Sequence, residues 1–486
     1  MKHSSSLLRA AGTLVILLAI FISGCGADPG INQDGTEAIS PAEGTESIST
    51  ETAEPTDQPA PIYPLADMTF IVKVPGNTPL DQAVYVSVLD EVTGLALNAQ
   101  FHEMIPNGDE SDDTRTYEII LPFAAGSIVK YRYARQSESI MVAEHTPAGD
   151  PVRYRLMKVD GPGTTDDRVS RWTDTAFIEP SGQLMGVVTE RETNQPIPNL
   201  LISIGGIQTY SGSDGSFFIE QLPPGTHNLV AYSTDGSYST FQQGARIEAD
   251  LPTLAPIESF TGPMVEGKFF VRLPENTPPI VPVRLAGNLS QLGNTFSNIS
   301  GGMSTLASIM PVLQPEPDGR FSTTILLPAG ADLRYKYTLG DGFWNAEHSE
   351  DGEFITRQFI VPEENFILEE TVETWHSSRA GSITFDVQAP DNTPEGDYVS
   401  IQFNPLFGWT APIPMWSLGE NRWAYVLYSP LNLPGNISYR YCLNDQCGTV
   451  DDIATPGLYG AGRPMNLEEL PQFYSDTVDA WIEGGQ

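Results

Sequence analysis

From about residue 65 onward, the chain consists of short segments in which apolar and polar residues alternate, with Pro and Gly between them. Successive side chains of a β-strand point to opposite faces of a sheet, so alternation of this kind predicts strands. Strands of about four to eight residues between turn residues predict antiparallel β-sandwiches of about 100 residues each. We therefore expect an all-β chain, a string of immunoglobulin-like or transthyretin-like β-sandwich domains.

Three of these segments carry a basic residue between two tyrosines. In each triplet the two Tyr side chains should point to one face of the sheet and the basic side chain to the other. The triplets are Tyr131-Arg132-Tyr133, Tyr335-Lys336-Tyr337 and Tyr439-Arg440-Tyr441.

The triplets belong to a longer pattern that occurs three times. Each copy opens with an apolar run and an Asn-Thr-Pro phrase, at residues 77–79, 276–278 and 392–394. It closes roughly 90 to 100 residues later with an acidic residue two places before Val-x-x-Trp, and a repeat of that period is a whole small domain. These endings are residues 167–172, 370–375 and 476–481. The pattern predicts one module used three times, which we call module 1 (residues 65–178), module 2 (261–378) and module 3 (379–486).

A different unit, residues 179–260, lies between modules 1 and 2. It contains the apolar run 200–204, the turn pair Asp214-Gly215 and the sequence Leu222-Pro-Pro-Gly225. These features resemble the carboxypeptidase-regulatory-like family. The resemblance implies a small transthyretin-like sandwich that acts as a spacer and has no catalytic residues of its own. We call this unit the strut.

The N-terminus predicts export. Lys2 and Arg9 precede the apolar run 14–22, which is too short to span a bilayer core of about 30 Å but fits a signal peptide. The run ends in Ile22-Ser-Gly-Cys25, which resembles a bacterial lipobox. The resemblance implies that residues 1–24 are a lipoprotein signal peptide and that Cys25 is lipidated, so the protein belongs to the cell envelope and faces outside the cytoplasm. The alternative is an ordinary secretory signal with an incidental Cys.

Residues 25–64 are rich in Glu, Thr, Ser and Pro and predict a disordered acidic tether. The whole chain carries a formal charge of −37, from 25 basic and 62 acidic residues. Phosphate binding needs a basic face, so nucleic acid is excluded as a partner. Cys442 and Cys447 flank the turn pair Asn444-Asp445, which predicts a hairpin with a local disulfide. We expect no cofactor and no metal, because the six His residues show no metal-ligand spacing.

The order of features in the modules resembles that of family 20 starch-binding modules. Module 2 carries Gly287-Asn288-Leu-Ser-Gln-Leu-Gly293-Asn294, Leu327-Pro-Ala-Gly330, Tyr335-Lys336-Tyr337 and Trp344 in that order. The resemblance implies a sandwich that binds an α-glucan through two Trp and the Lys of Tyr-Lys-Tyr. Physically, a flat indole can stack on the C–H face of a sugar ring while nearby polar groups bind its hydroxyls.

Each module departs from that pattern, so each implied site is incomplete. Module 2 keeps Lys336, Trp344 and Asn294, with Phe296 near the place of the first Trp. Module 3 has Trp409 and Arg440, and its cysteine hairpin replaces the second Trp. Module 1 has neither Trp. We expect three Trp to lie in loops that differ between copies and to be available for contacts: Trp344, Trp409 and Trp416. We expect the repeated Trp to pack in cores or at sheet edges: Trp172, Trp375, Trp423 and Trp481.

The predicted function is non-catalytic binding of starch or a related α-glucan at the cell surface, where a partner glycoside hydrolase could act on the bound polymer. Glycoside cleavage itself needs two carboxylates at a fixed separation in a cleft, usually on a large barrel for which the chain has no room. Two alternatives remain open. In the first, the chain is the accessory region of an extracellular glycoside hydrolase whose catalytic domain is absent from this chain. In the second, it is a structural or adhesive stalk that has lost sugar binding.

Overall fold

The computed structural model describes residues 63–89, 100–107, 115–138, 140–277, 282–294, 309–339, 345–353, 355–376, 381–404, 409, 412–428, 437–452, 462–465 and 471–483. All of them belong to one compact unit, Asp57–Gln486. Their regular secondary structure is nearly all strand, and their sheets pair into a string of four β-sandwiches, so the predicted fold class is confirmed. The part of the chain that the structure describes contains no helix long and apolar enough to cross a bilayer. Residues 1–62 lie outside the described residues; they include the predicted signal peptide, Cys25 and nearly all of the predicted tether.

Module 1 packs a sheet of order β4-β5-β1-β9 on a sheet of order β10-β7-β6-β2-β3, with β8 also on β6. Every second residue of β1 from Ala66 to Val74 is buried, which is the predicted alternation. β1 pairs antiparallel with β5 and parallel with β9. The strands are β1 (Leu65–Val74), β2 (Val84–Val88), β3 (Gln100–Glu103), β4 (Ile105–Pro106), β5 (Arg115–Ala124), β6 (Ile128–Ser137), β7 (Ile140–His145), β8 (Arg155–Lys158), β9 (Gly163–Arg168) and β10 (Arg171–Trp172).

The strut packs a sheet of order β14-β11-β17, with β18 also on β11, on a sheet of order β13-β12-β15-β16. The Asp214-Gly215 pair forms the turn into β14: Gly215 has φ +74°, and Asp214 accepts a hydrogen bond from the Ser216 amide at 3.0 Å. The strands are β11 (Gly182–Glu190), β12 (Leu201–Ile204), β13 (Ile207–Tyr210), β14 (Ser216–Leu222), β15 (Gly225–Tyr232), β16 (Phe241–Ile247), β17 (Pro252–Leu254) and β18 (Ile257–Ser259).

Module 2 repeats the arrangement of module 1 with fewer strands. Its sheets have the orders β21-β22-β19-β25 and β20-β23-β24, and a single 3-10 turn, Ser290–Leu292, follows β20 in the described part of the module. The strands are β19 (Met264–Arg272), β20 (Val283–Gly287), β21 (Gln314–Pro315), β22 (Phe321–Pro328), β23 (Asp332–Leu339), β24 (Arg357–Ile360) and β25 (Phe366–Thr371).

Module 3 has sheets of order β29-β30-β26-β34 and β28-β27-β31-β32-β35, with β33 also on β31. The prediction that Trp416 lies in a loop is wrong. Trp416 begins a strand that pairs with β30, is 5% exposed and packs on Tyr425 in the core. The strands are β26 (Ile383–Gln388), β27 (Val399–Asn404), β28 (Ile413–Pro414), β29 (Trp416–Gly419), β30 (Arg422–Leu427), β31 (Ile437–Leu443), β32 (Val450–Asp452), β33 (Arg463–Met465), β34 (Gln472–Thr477) and β35 (Trp481–Glu483).

Modules 1 and 2 contact each other directly, although the strut separates them in sequence. The Ile128 amide donates to the Asp332 carboxylate at 2.8 Å, and the Gln358 amide donates to the Ser127 hydroxyl at 2.7 Å. The strut packs on module 1 through one apolar cluster, which consists of Leu89, Ile128, Tyr154 and Leu156 of module 1 and Leu201, Val230 and Tyr232 of the strut. These three domains therefore meet at a common junction.

Modules 2 and 3 are joined through Asn345, which is fully buried. Its amide nitrogen donates to the Val426 carbonyl at 2.6 Å and to the Tyr425 hydroxyl at 3.0 Å, and its carbonyl oxygen accepts from the Tyr428 amide at 2.8 Å. Nearby, the His376 ring lies edge-on to the Tyr428 ring at 4.8 Å between centroids. One side chain of module 2 thus fixes the end of β30 in module 3.

Candidate functional site

The phrases that repeat along the sequence converge inside each module. In module 1 the hydroxyls of Tyr131 and Tyr133 both donate to the same oxygen of Asp167, at 2.7 and 2.9 Å. Both tyrosines therefore lie on one face of β6, as the alternation predicts. Their rings are edge-on at 5.9 Å between centroids. In module 3 Tyr439 and Tyr441 likewise share one oxygen of Asp476 (2.9 and 2.8 Å), whereas in module 2 Tyr335 and Tyr337 donate to the two different oxygens of Glu370 (3.0 and 2.6 Å).

An arginine completes each network, and sequence reasoning missed it; Arg155 of module 1 is buried, whereas Arg357 and Arg463 of modules 2 and 3 are each 20% exposed. Arg155 bonds Glu144 at 2.8 Å and Asp167 at 3.0 Å, and it donates to the Arg168 carbonyl at 2.8 Å. All three side chains are almost fully buried. The equivalent sets are Arg357 with Glu347 and Glu370, and Arg463 with Asp452 and Asp476.

Regular spacing was the signal that could have revealed these arginines. Each one follows its first carboxylate partner by 11, 10 and 11 residues in modules 1, 2 and 3. It precedes the closing acid by 12, 13 and 13 residues. An arginine whose sequence separation from each of two acids varies by only one residue across three copies predicts a shared ion-pair network.

The closing Trp is tied to the opening phrase in the same repetitive way. In module 1 the Trp172 indole nitrogen donates to the Thr78 hydroxyl at 2.8 Å, and Thr78 donates to the Pro75 carbonyl at 2.7 Å. Trp172 is fully buried. In each module this hydrogen bond therefore joins the Asn-Thr-Pro phrase near the start of the sequence repeat to the Val-x-x-Trp segment at its end. The equivalent pairs are Trp375 with Thr277 (2.9 Å) and Trp481 with Thr393 (3.1 Å).

Electrostatics favour a structural role for these networks. Burial raises the pKa of Tyr131 and Tyr133 well above the ordinary tyrosine value, and the Asp167 carboxylate raises it further. Burial alone would lower the pKa of Arg155, but the Glu144 and Asp167 carboxylates outweigh it and raise this pKa. Because their pKa values are raised, the two tyrosines stay neutral and the arginine stays positively charged at neutral pH. These groups are therefore not placed to exchange protons.

In module 2 the described residues that were predicted to contact sugar are buried. Lys336 is 2% exposed, and Asn294 donates its side-chain amide to the Asn288 carbonyl at 2.6 Å. Trp344 and Phe296 lie outside the described residues. The segment across from Lys336 carries His348, whose pKa is lowered to about 4 by burial and by the Lys336 charge. Asn345, three residues before His348, contacts module 3.

In module 3 Arg440 is fully buried. Its guanidinium donates to Gln402 at 2.7 Å and bonds Asp451 at 3.2 Å. The Trp409 ring lies over this guanidinium, 4.3 Å from the ring centroid. Among the predicted binding residues that the structure describes, Trp409 is the one that keeps a partly exposed side chain. Trp409 is therefore the candidate contact residue of this module.

The cysteine hairpin of module 3 has the predicted form. Cys442 and Cys447 form a disulfide, and Asn444 and Asp445 between them adopt φ of +51° and +60°. The Asp445 carboxylate accepts from the Tyr398 hydroxyl at 2.9 Å. Within the described residues no group of His, Cys, Asp and Glu is placed to hold a metal ion.

No family model and no curated protein matches this chain. Solved structures similar to it include the Bacillus anthracis TIE protein (10% identity, 85% of this chain and 68% of that one, TM-score 0.17) and a streptococcal ancillary pilin (10%, 63% and 99%, TM-score 0.23). A third is a family 15 glucoamylase from Hypocrea jecorina (19% identity, 25% of this chain and 20% of that one, TM-score 0.18). TM-scores this low carry no argument about the function of this chain.

Proposed function

We propose that this protein is a non-catalytic structural stalk of the bacterial cell surface, anchored by a lipid on Cys25. The observation that carries this proposal is the use of the repeated side chains. The residues that define the three modules, from the Tyr pairs to the closing Trp, form hydrogen bonds and ion pairs inside each sandwich. These internal contacts stabilise the fold, so few of the repeated side chains remain available to contact a ligand.

The joins between domains support the same proposal. Domains in one chain usually move relative to each other unless the interface is large and apolar. Here the strut shares an apolar cluster with module 1, and buried polar contacts through Asp332 and Asn345 tie module 2 to both of its neighbours. A string of domains joined this firmly suits a protein that holds its far end at a set distance from a membrane.

The Asn345→Ala substitution tests the rigidity on which the proposal depends. It removes the partner of the Val426 carbonyl and of the Tyr428 amide. Each buried group left without a hydrogen bond costs about 1–3 kcal/mol, so we expect the contact between modules 2 and 3 to loosen. The measurement is the distance distribution between spin labels at the exposed positions Glu275 and Asp391, which should be narrow in the native protein and broad in the variant.

The matched control is Asn365→Ala, which removes an exposed asparagine that accepts a bond from Glu266 inside module 2. We expect its distance distribution to equal that of the native protein. A broad distribution in the native protein would show that the join is loose and would overturn the stalk proposal.

A second candidate function, weak α-glucan binding by module 3, is favoured by one observation. Trp409 keeps part of its indole exposed, and Arg440 holds the ring from one side. An indole fixed in this way can stack on a sugar ring. One stacking residue supports an affinity near 1 mM, which is about −4 kcal/mol, so detectable retention on an insoluble polymer would depend on many chains acting together.

The test is retention of the protein on insoluble starch, with cellulose and chitin as controls. We expect Trp409→Ala to reduce retention on starch by at least about tenfold, since stacking accounts for most of the contact. Phe473→Ala removes an aromatic side chain of the same module that is 64% exposed, and it should leave retention unchanged. If the native protein is not retained, the glucan proposal fails and the stalk proposal stands alone.

A further inference from the structure

A cavity of about 220 Å³ lies at the junction where module 1, the strut and module 2 meet. All three domains contribute to its wall, so it exists only in the assembled chain. Pockets at domain interfaces are common sites for small ligands. The residues of the wall that matter here are Lys158 from module 1, Tyr238, Thr240 and Phe260 from the strut, and Gly330 and Asp332 from module 2.

The shape of the cavity is maintained by the contacts around it. Asp332 holds the Ile128 amide of module 1, and the Ser290 amide of module 2 donates to the Thr234 carbonyl of the strut at 2.9 Å. Gly330 comes from the Leu-Pro-Ala-Gly phrase and has φ +79°, and no atom lies within 4 Å of where its Cβ would stand. A wall formed partly by bare backbone leaves room that side chains would otherwise fill.

The charged groups of the wall are already paired. Lys158 forms an ion pair with Asp160 at 2.8 Å. The Asp332 carboxylate accepts bonds from Ile128, Gln358 and Arg334. A charged ligand would have to compete with these partners, whereas an uncharged one would not. The cavity therefore favours a neutral ligand.

The remaining wall combines aromatic rings with hydroxyl groups. Phe260 is 42% exposed, and the Arg191 guanidinium lies 4.9 Å from its ring centroid. Tyr238 and Thr240 are partly exposed and add a second ring and two hydroxyls. This mixture suits a molecule that has an apolar face and several hydroxyls. The cavity volume of about 220 Å³ is smaller than the ~300 Å³ at which drug-sized pockets begin.

We propose that this junction cavity binds one neutral pyranose ring, as a free monosaccharide or as the end residue of a polysaccharide. The ring would stack against Phe260 or Tyr238 and place its hydroxyls toward Thr240 and the backbone of the wall. A ligand that touches three domains binds their assembled arrangement and would stabilise it. This site is independent of Trp409, which lies in module 3.

The test is calorimetric titration of the full-length protein with D-glucose, D-galactose and D-mannose, with open-chain sorbitol as the control. We expect saturable binding of at least one pyranose with a Kd near 1 mM, and none of sorbitol, which has no ring face. Maltotriose distinguishes the two sources: binding as tight as that of glucose assigns a chain end, and no binding assigns a free sugar. The absence of saturable binding by every pyranose would overturn the proposal.

Two cavity variants and two controls test whether any binding takes place in the cavity. We expect Phe260→Ala and Thr240→Val each to weaken it about tenfold, the first by removing stacking surface and the second by removing a hydroxyl at nearly constant shape. Phe218→Ala is the matched control, because Phe218 is also in the strut and is 44% exposed. Trp409→Ala should also leave this binding unchanged. Equal affinity in the native protein and both cavity variants would contradict the proposal even if sugar binds.

Discussion

Replacing Arg155 with Met is expected to destabilise module 1 by about 3–5 kcal/mol, because it leaves two buried carboxylates without their cation. Glu144 and Asp167 are almost fully buried, and Arg155 bonds both of them at 2.8 and 3.0 Å. Methionine is similar in size but cannot donate to either group. The carboxylates must then take up protons or draw water into the core, and both responses weaken the sandwich.

A global unfolding curve is a poor measure here, because a chain of several domains does not unfold in one step. Native-state hydrogen exchange resolves the effect, since the opening free energies of the β6 and β9 amides should fall by the stated amount. Lys73→Met is the control, because Lys73 forms an exposed pair with Asp166 and such pairs contribute less than about 1 kcal/mol. Equal effects of the two substitutions would show that the buried network does not stabilise the module.

Replacing Trp375 with Ala is expected to destabilise module 2 by about 3–5 kcal/mol, the usual cost of removing a large aromatic side chain from a core. Trp375 is fully buried, and its indole nitrogen donates to Thr277 at 2.9 Å. The substitution opens a cavity and also separates the closing segment of the module from its opening phrase. Trp375→Phe, which loses the hydrogen bond but retains much of the packing, should have a smaller effect.

Exchange of the β19 and β25 amides measures this loss, because these two strands pair in parallel next to the substituted residue. The control is Ile367→Ala, a truncation on β25 at a side chain that is 57% exposed. We expect its effect to stay below about 1 kcal/mol. If Trp375→Ala falls within that range too, the closing Trp does not hold the module together.

The outcome for the Tyr triplets shows what local sequence can predict. Alternation placed Tyr131 and Tyr133 on one face of a strand, and both hydroxyls reach Asp167. The prediction succeeded because the direction of successive side chains in a strand depends only on the backbone. The partner Arg155 was missed because its role depends on how three separate strands meet in the folded module, although its spacing to the acids nearly repeats in all three modules.

The candidate sugar sites show the opposite case. The resemblance to starch-binding modules rested on several phrases of module 2, and Asn294, Lys336 and the two Tyr that flank Lys336 are all buried. Trp416 appears in the sequence as one of several Trp in variable segments, yet it lies in the core against Tyr425. Exposure depends on neighbours that are distant in sequence, so a motif alone did not separate contact residues from core residues.

The sequence by itself determined the all-β class, the three related modules and the different unit between them, because strand periodicity and turn chemistry act over a few residues and repetition is visible directly in the sequence. Only the tertiary structure decided that Lys336 and Arg440 are buried, that modules 1 and 2 contact each other directly although the strut lies between them in sequence, and that three domains enclose a cavity. The physical reason is that burial and domain contacts arise between surfaces folded from separate segments. Asn345, for example, is 81 residues from the Val426 carbonyl that it binds.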